Sequence, residues 1–367
     1  MYDLTFDPEK YEIKTCELGN RSITYRAFEH IVYCANPASK IQTLNIYVPE
    51  EYYNGKTING YSLNTAPIFA PNTVGGYMEG SAMEVGSDRF NHKSNSAFEA
   101  LLHGYVVMCA GIRGRNTGMQ SKEFFVGGTG KENTENQEKR SGRAPALIVD
   151  MKAAIRYMRH NAKTVPGDVE KIITNGTSAG GALSALAGAT GNAKEYESYL
   201  KEIGAAEEKD DIFAASCYCP IHNLEHADAA YEWLFRKEPV FHMIKFEMSP
   251  KGAKMIPVVG ELSEEQKKLS AELKAEFPAY VNSLGLRDDN GTELTLEENG
   301  EGIFKDYVMS FVSASAQKEK ETHDISVRLS DLAVPGSNID EQEYITFEGN
   351  QVEKIDTDAY VKKITRM

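Results

Sequence analysis

The chain has 367 residues, an ordinary apolar share of 41% and a formal net charge of −14. The length allows one large domain with an insertion, or two domains, and the acidic balance argues against nucleic acid and anionic membrane surfaces as partners. Five cysteines (Cys16, Cys34, Cys109, Cys217 and Cys219) sit mostly in apolar runs, which fits a reduced, cytoplasmic setting. The opening "MYDLTFDPEKYEIKT" has neither a basic n-region nor an apolar h-region, so no signal peptide is expected. No apolar run reaches the length of a membrane span.

In chain order, "SITYRAFEHIVY" and "IQTLNIYVPEEY" alternate apolar and polar residues and predict an antiparallel strand pair. "APIFAPNTVGGY" is an apolar strand running into a glycine pair. "SAFEALLHG" predicts a short helix and "YVVMCAGIRGR" a buried strand. "EFFVGGTGKENTENQEKRSGRAP" is polar and Gly-rich, a surface loop. Its "GGTGKEN" lacks both the first glycine and the Ser/Thr of a phosphate loop. "PALIVDMKAAIRYMRHN" sets Leu147, Met151, Ala154, Ile155 and Met158 on one helical stripe, with Pro145 suited to the first turn. "VEKIITNG" is a short buried strand, "AGGALSALAG" a helix start, "KEYESYLKEIGA" a helix and "DIFAASCYCP" a further strand. Strands alternating with helices after an antiparallel start predict an α/β fold with a mostly parallel sheet.

After Pro220 the composition turns charged and helical. "SEEQKKLSAELKAEFPAYVNSLG" and "GIFKDYVMSFVSASAQKE" are the clearest helices there, and "EYITFEG" the best strand. The organisation expected is a core over 1–220 followed by a lid-like region over 221–367.

One stretch carries chemistry. In "ITNGTSAGGALSALAG", Gly176 and Gly180 bracket Ser178 at G-x-S-x-G spacing, between a β-branched strand and an alanine-rich helix. That context is what a nucleophile elbow requires: a turn so tight that the flanking positions must lack bulk, holding the serine hydroxyl at the top of a sheet. One oxyanion-hole donor would be the amide of Ala179. The other would come from "PNTVGGY", where Gly75 and Gly76 let backbone approach a substrate. A serine also needs a base, which in this architecture follows it in sequence at the end of a later strand. The histidines after Ser178 are His222, His226, His242 and His323, and none closes a convincing buried strand. A rival motif, "HNLEH", matches H-x-x-E-H. On a helix, His222 and His226 would share a face as zinc ligands with Glu225 as base. A structural hydrogen-bonding role is the plainer expectation, and no metal is assigned.

"NGTSAGGALSALAGATGN", "APIFAPNTVGGY", "VVMCAGIRGR", "APALIVDMKAAIRYMRHN" and "YCPIHNLEHADAAYEW" together resemble bacterial tannases, the α/β-hydrolase esterases related to feruloyl esterases. The resemblance runs through essentially the whole chain. It implies an α/β-hydrolase fold, with most of an inserted helical lid in 221–367. Ser178 is then the nucleophile, Gly76 and Ala179 the oxyanion amides, and Ile221 the residue against the aromatic acyl ring. It implies a small-molecule phenolic, gallate-like ester as substrate, and such hydrolysis calls for no cofactor. In the family, the catalytic Asp and His, the residues gripping the phenolic hydroxyls and the final sheet strands follow the point that matches "AYVKKITRM". They are therefore expected to be missing from these residues, leaving acylation incomplete. The readings in view are a serine carboxylesterase of this type, a catalytically dead binding module, and a zinc hydrolase on His222, Glu225 and His226.

Overall fold

The computed structural model describes residues 1–88, 93–118, 140–249, 252–322, 344–364 and 366, with the side chains of 244–249 and 252–255 left aside. These residues form two compact units that divide between His222 and Asn223. Most of the predicted surface loop, 123–139, lies outside the described residues.

The first unit is built on a seven-stranded sheet. Its strands are β1 (Glu12–Leu18), β2 (Arg21–Val32), β3 (Thr43–Pro49), β4 (Pro67–Pro71), β5 (Val106–Ala110), β6 (Asp168–Thr177) and β7 (Ala214–Tyr218), in the order β1-β2-β3-β5-β4-β6-β7. The predicted pair is β2 and β3, antiparallel with Phe28 opposite Ile46. β1 is a further antiparallel strand, missed because "EIKTCEL" carries charges on both faces and is half exposed at the sheet edge. From β5 onward all neighbours are parallel. β4 and β5 read as continuous apolar runs, as parallel strands covered on both faces do. The helices are α1 (Ser96–Leu102), α2 (Ala146–His160), α3 (Ala179–Ala189) and α4 (Glu197–Glu202). Asn95 caps α1 by accepting the Phe98 amide at 3.0 Å.

The predicted apolar stripe of α2 is a buried cylinder instead. Met151, Ala154, Ile155 and Met158 are buried and Leu147 half-buried, but Asp150, Lys152 and Arg156 are buried too. Charges at that depth are tolerable only when paired. Asp150 takes Nη2 of Arg113 at 2.7 Å, the Arg113 amide at 2.8 Å and Gln42 Nε2 at 2.8 Å. Burial pushes the Asp150 carboxyl up from its ordinary range, against the pull of the guanidinium. Asp210 receives Lys152 Nζ at 2.7 Å and Arg156 at 2.6 Å, and Arg156 reaches on to Glu197 of α4. These partners lie 37 to 108 residues away in sequence, so a helical reading taken locally assigns those positions to solvent.

The second unit holds α5 (Leu224–Leu234), the hairpin β8 (Val240–Ser249) with β9 (Gly252–Glu261), α6 (Glu264–Ser283), α7 (Ile303–Thr322), the hairpin β10 (Ile345–Glu348) with β11 (Gln351–Ile355), and α8 (Thr357–Ile364). α6 starts on a capping box in which Ser263 and Gln266 each accept the other's amide. Its small core is Ala229, Trp233, Phe277, Val281 and Leu296, with the Trp233 indole donating to the Gly300 carbonyl at 2.9 Å. The β8–β9 hairpin went unpredicted, because "VFHMIKFEMS" interleaves its apolar residues with charge.

Candidate active site

β6 climbs through buried Ile172 and Thr174 to Gly176, and the chain turns at Ser178 into α3. Ser178 has φ 58° and ψ −120°. An L-residue adopts that conformation only where its surroundings enforce it, at about 1–3 kcal/mol. Three constraints enforce it here. The Ser178 amide donates to the Tyr218 carbonyl at the end of β7, at 2.9 Å. The Ser178 carbonyl accepts the Ala182 amide at 2.9 Å, committing the next residue to helix. The flanking glycines leave no alternative: a Cβ on Gly176 would stand 2.3 Å from the Gly180 carbonyl oxygen. Ser178 is exposed while Ala179, Gly176 and Gly180 are buried, so the turn presents the serine outward.

The loop after β4 lies beside the turn. Asn72 donates its backbone amide to the Asn175 carbonyl at 2.9 Å. Its side chain enters between the two elbow glycines: a Cβ on Gly176 would meet Nδ2 at 2.5 Å, and one on Gly180 would meet Oδ1 at 2.5 Å. Beyond it, Gly75 opens a turn closed by Met78, and Gly76 and Tyr77 both have positive φ, 55° and 58°. The far flank is laced to residues 112–117. Gly80 and Ile112 exchange both backbone bonds, the Arg115 amide donates to Tyr77, and Glu79 accepts the Thr117 hydroxyl at 2.8 Å. The Gly76 and Ala179 amides donate to no group among the described residues. At Ala179 the reason is positional, since the first amides of a helix have no intrahelical acceptor. Ala179 starts a helix whose N-terminus favours negative charge, and Gly76 sits in a loop stitched on both sides. Such amides suit an oxyanion.

Among the described residues of the first unit, no hydrogen bond joins the Ser178 hydroxyl to a histidine. His103 is turned onto the Glu99 carbonyl at 2.8 Å. His323 lies outside the described residues. Ile221 follows β7 and is 37% exposed. Phe213, just before β7, and Tyr218, at its end, are exposed, and β6 is the partner of β7 in the sheet among the described residues.

"HNLEH" does not lie on one helix. Asn223 takes a left-handed conformation at φ 50° and α5 begins only at Leu224, so His222 precedes the helix and the i, i+4 face that a zinc reading needs is not formed. The His226 ring stacks on Tyr280 with centroids 3.7 Å apart. Among the described residues no group of three or more His, Cys, Asp or Glu gathers where a metal could be held.

A serine on a strained strand-to-helix turn, in a mixed sheet whose strands from β5 onward are all parallel and are flanked by helices, is the arrangement of the α/β-hydrolase fold. The family model BD-FAE matches residues 114–231. Esterase LipC of Mycobacterium tuberculosis is 47% identical over 60 residues, a stretch that spans 15% of that protein. Among solved structures, the tannase of Lactobacillus plantarum is 42% identical over 100% of this chain and 73% of its own, with a TM-score of 0.78. The Fusobacterium nucleatum tannase is 43% identical over 100% of this chain and 72% of its own, TM-score 0.78. A tannin acyl hydrolase in complex with ethyl gallate is 42% identical over 99% of this chain and 71% of its own, TM-score 0.75. The chain belongs to the tannase family of carboxylic ester hydrolases.

Proposed function

We propose that Ser178 is the nucleophile of an esterase that cleaves esters of phenolic, gallate-like acids. The observation that carries this is the enforced positive φ of an exposed serine between β6 and α3. In the proposed reaction Oγ attacks the ester carbonyl while its proton passes to a base. The carbonyl oxygen, now an anion, is received by the amides of Gly76 and Ala179. Collapse expels the alcohol, and water then releases the acid from the acyl-enzyme. Ile221, three residues past the end of β7, packs on the acyl ring, and residues 221–367 serve as the lid. A tannin acyl hydrolase with 3,4-dihydroxybenzoate bound supports a phenolic acyl group. In this proposal the triad's acid and base belong to the part of the tannase fold outside the alignment with this chain. Five cysteines, all unpaired, support a cytoplasmic setting. No helix among the described residues is long and apolar enough to cross a membrane.

A second reading, a binding module without turnover, is favoured by one observation: no hydrogen bond joins the Ser178 hydroxyl to a histidine among the described residues of the first unit. The two readings separate on methyl gallate hydrolysis by residues 1–367, alone and mixed with a C-terminal segment of a tannase. The esterase reading expects a rate at least about a thousand-fold below a complete tannase for 1–367 alone, restored on mixing and abolished by Ser178→Ala. No turnover in either preparation, with gallate still bound, supports the binding module. Full turnover by 1–367 alone, lost on substituting His222, His226, His242 or His323, would place the base within this chain.

A further inference from the structure

The Asn72 side chain ties the loop carrying Gly76 to the turn carrying Ser178. Asn72 is 8% exposed. Its Nδ2 donates to the Asn175 carbonyl at 2.8 Å, the Gly180 carbonyl at 3.1 Å and Ser184 Oγ at 3.1 Å. Its Oδ1 accepts the Val74 amide at 3.2 Å. The orientation of the amide is chemically fixed, because only an NH₂ group can face two carbonyls. Ser184 donates its own hydroxyl proton to Gly180 at 2.9 Å, so it must accept from Asn72. One planar group thus touches the last residues of β6, the first turn of α3 and the start of the loop. It also lies 2.5 Å from where a Cβ on either elbow glycine would stand.

We propose that Asn72 is a positioning residue for the oxyanion site, fixing the distance between the Gly76 and Ala179 amides through Val74 on one side and Gly180 on the other. The proposal rests on the esterase reading for its catalytic consequence but not for its structural one. Two amides serve one oxygen only if their separation is held before the charge develops, and a misplacement of about 1 Å can cost about a hundred-fold in rate. The 112–117 flank alone does not set that separation, since its bonds run to Tyr77, Glu79 and Gly80 and none to α3.

The test uses Asn72→Ala and Asn72→Asp, which keeps the shape and removes the donors, with Ser184→Ala removing a single acceptor. Amide hydrogen exchange is read over residues 73–77 in the 367-residue chain. In whichever preparation above turns over methyl gallate, kcat, KM and inhibition by an aryl boronate are read as well. Both Asn72 variants are expected to speed exchange at 73–77, lower kcat about a hundred-fold and weaken boronate by a similar factor, with KM and gallate affinity within about threefold. Ser184→Ala should do the same to a smaller extent, and it decides the matter if the Asn72 variants do not fold. Unchanged exchange at 73–77 in folded variants overturns the proposal, as does faster exchange with kcat unchanged. Equal weakening of gallate and boronate would reveal a general structural role and also overturn it. Faster exchange in a protein that hydrolyses no gallate ester sinks the esterase reading and leaves the anchoring role of Asn72 standing.

Discussion

The backbone amide of Ser178 donates to the carbonyl of Tyr218 at 2.9 Å, so the strained elbow is held by the end of the neighbouring strand. The last residues of β6 and β7 stay in register, with Thr177 opposite Tyr218, up to the point where the chain turns. The strain in the turn is therefore imposed in part by the sheet.

That origin makes the strain measurable. Ser178→Gly, which adopts φ 58° freely, should raise unfolding stability by about 1 kcal/mol after its greater unfolded-state entropy is offset. Ser178→Ala should not, because alanine keeps the strain. Urea unfolding of the three proteins tests this. A glycine variant no more stable than the alanine variant would show that the surrounding bonds do not hold residue 178 against its preference.

The ion network of the core should be intolerant of losing its anion. Asp210 is the shared partner of Lys152, which is wholly buried, and of Arg156. Asp210→Asn leaves Lys152 without a carboxylate and should destabilise by about 3–5 kcal/mol. The same unfolding experiment reads it, and a loss below about 1 kcal/mol would mean that water or relaxation satisfies the lysine.

Glu197 supplies a pH dependence. The hydrogen bond from Arg156 holds its carboxyl below the ordinary value of 4.5. A carboxylate with a depressed folded pKa stabilises the fold above its unfolded value, and that contribution is lost as pH falls through the folded one. The melting-temperature advantage of the parent over Glu197→Gln should be full at pH 6–7 and shrink from about pH 4.5 downward. It should be modest throughout, because the side chain is 39% exposed. An advantage that grows on acidification would contradict the assignment.

Gly114 should prove as sensitive as the elbow glycines although no catalytic motif marks it. A Cβ there would stand 2.1 Å from the Glu79 amide nitrogen and 2.1 Å from the Met78 carbonyl carbon. Both obstacles are backbone, so Gly114→Ala must displace the loop that carries Gly76. The expected outcome is a loss of about 1–3 kcal/mol in stability, with kcat for methyl gallate falling further than KM changes. An unaffected melting temperature would show that the 78–80 segment yields without cost.

The sequence by itself determined the elements whose cause is local. The β-branched run before Gly176, the small residues around Ser178 and the alanine-rich stretch after it place strand, turn and helix correctly, because each is decided by side-chain shape within a few residues. The apolar runs of β4 and β5 were legible for the same reason, and the tannase motifs were read there directly. What depends on partners distant in sequence was not legible. Asp150, Lys152 and Arg156 look like the solvated side of a helix until Arg113, Asp210 and Glu197 are brought to them. "HNLEH" reads as one helical face until Asn223 turns left-handed and starts α5 after His222. Asn72 stands inside "APIFAPNTVGGY", but nothing local in that stretch says what its side chain does. Only the parallel pairing of β4 with β6 sets it between Gly176 and Gly180, where burial demands that each polar atom of its amide find a partner.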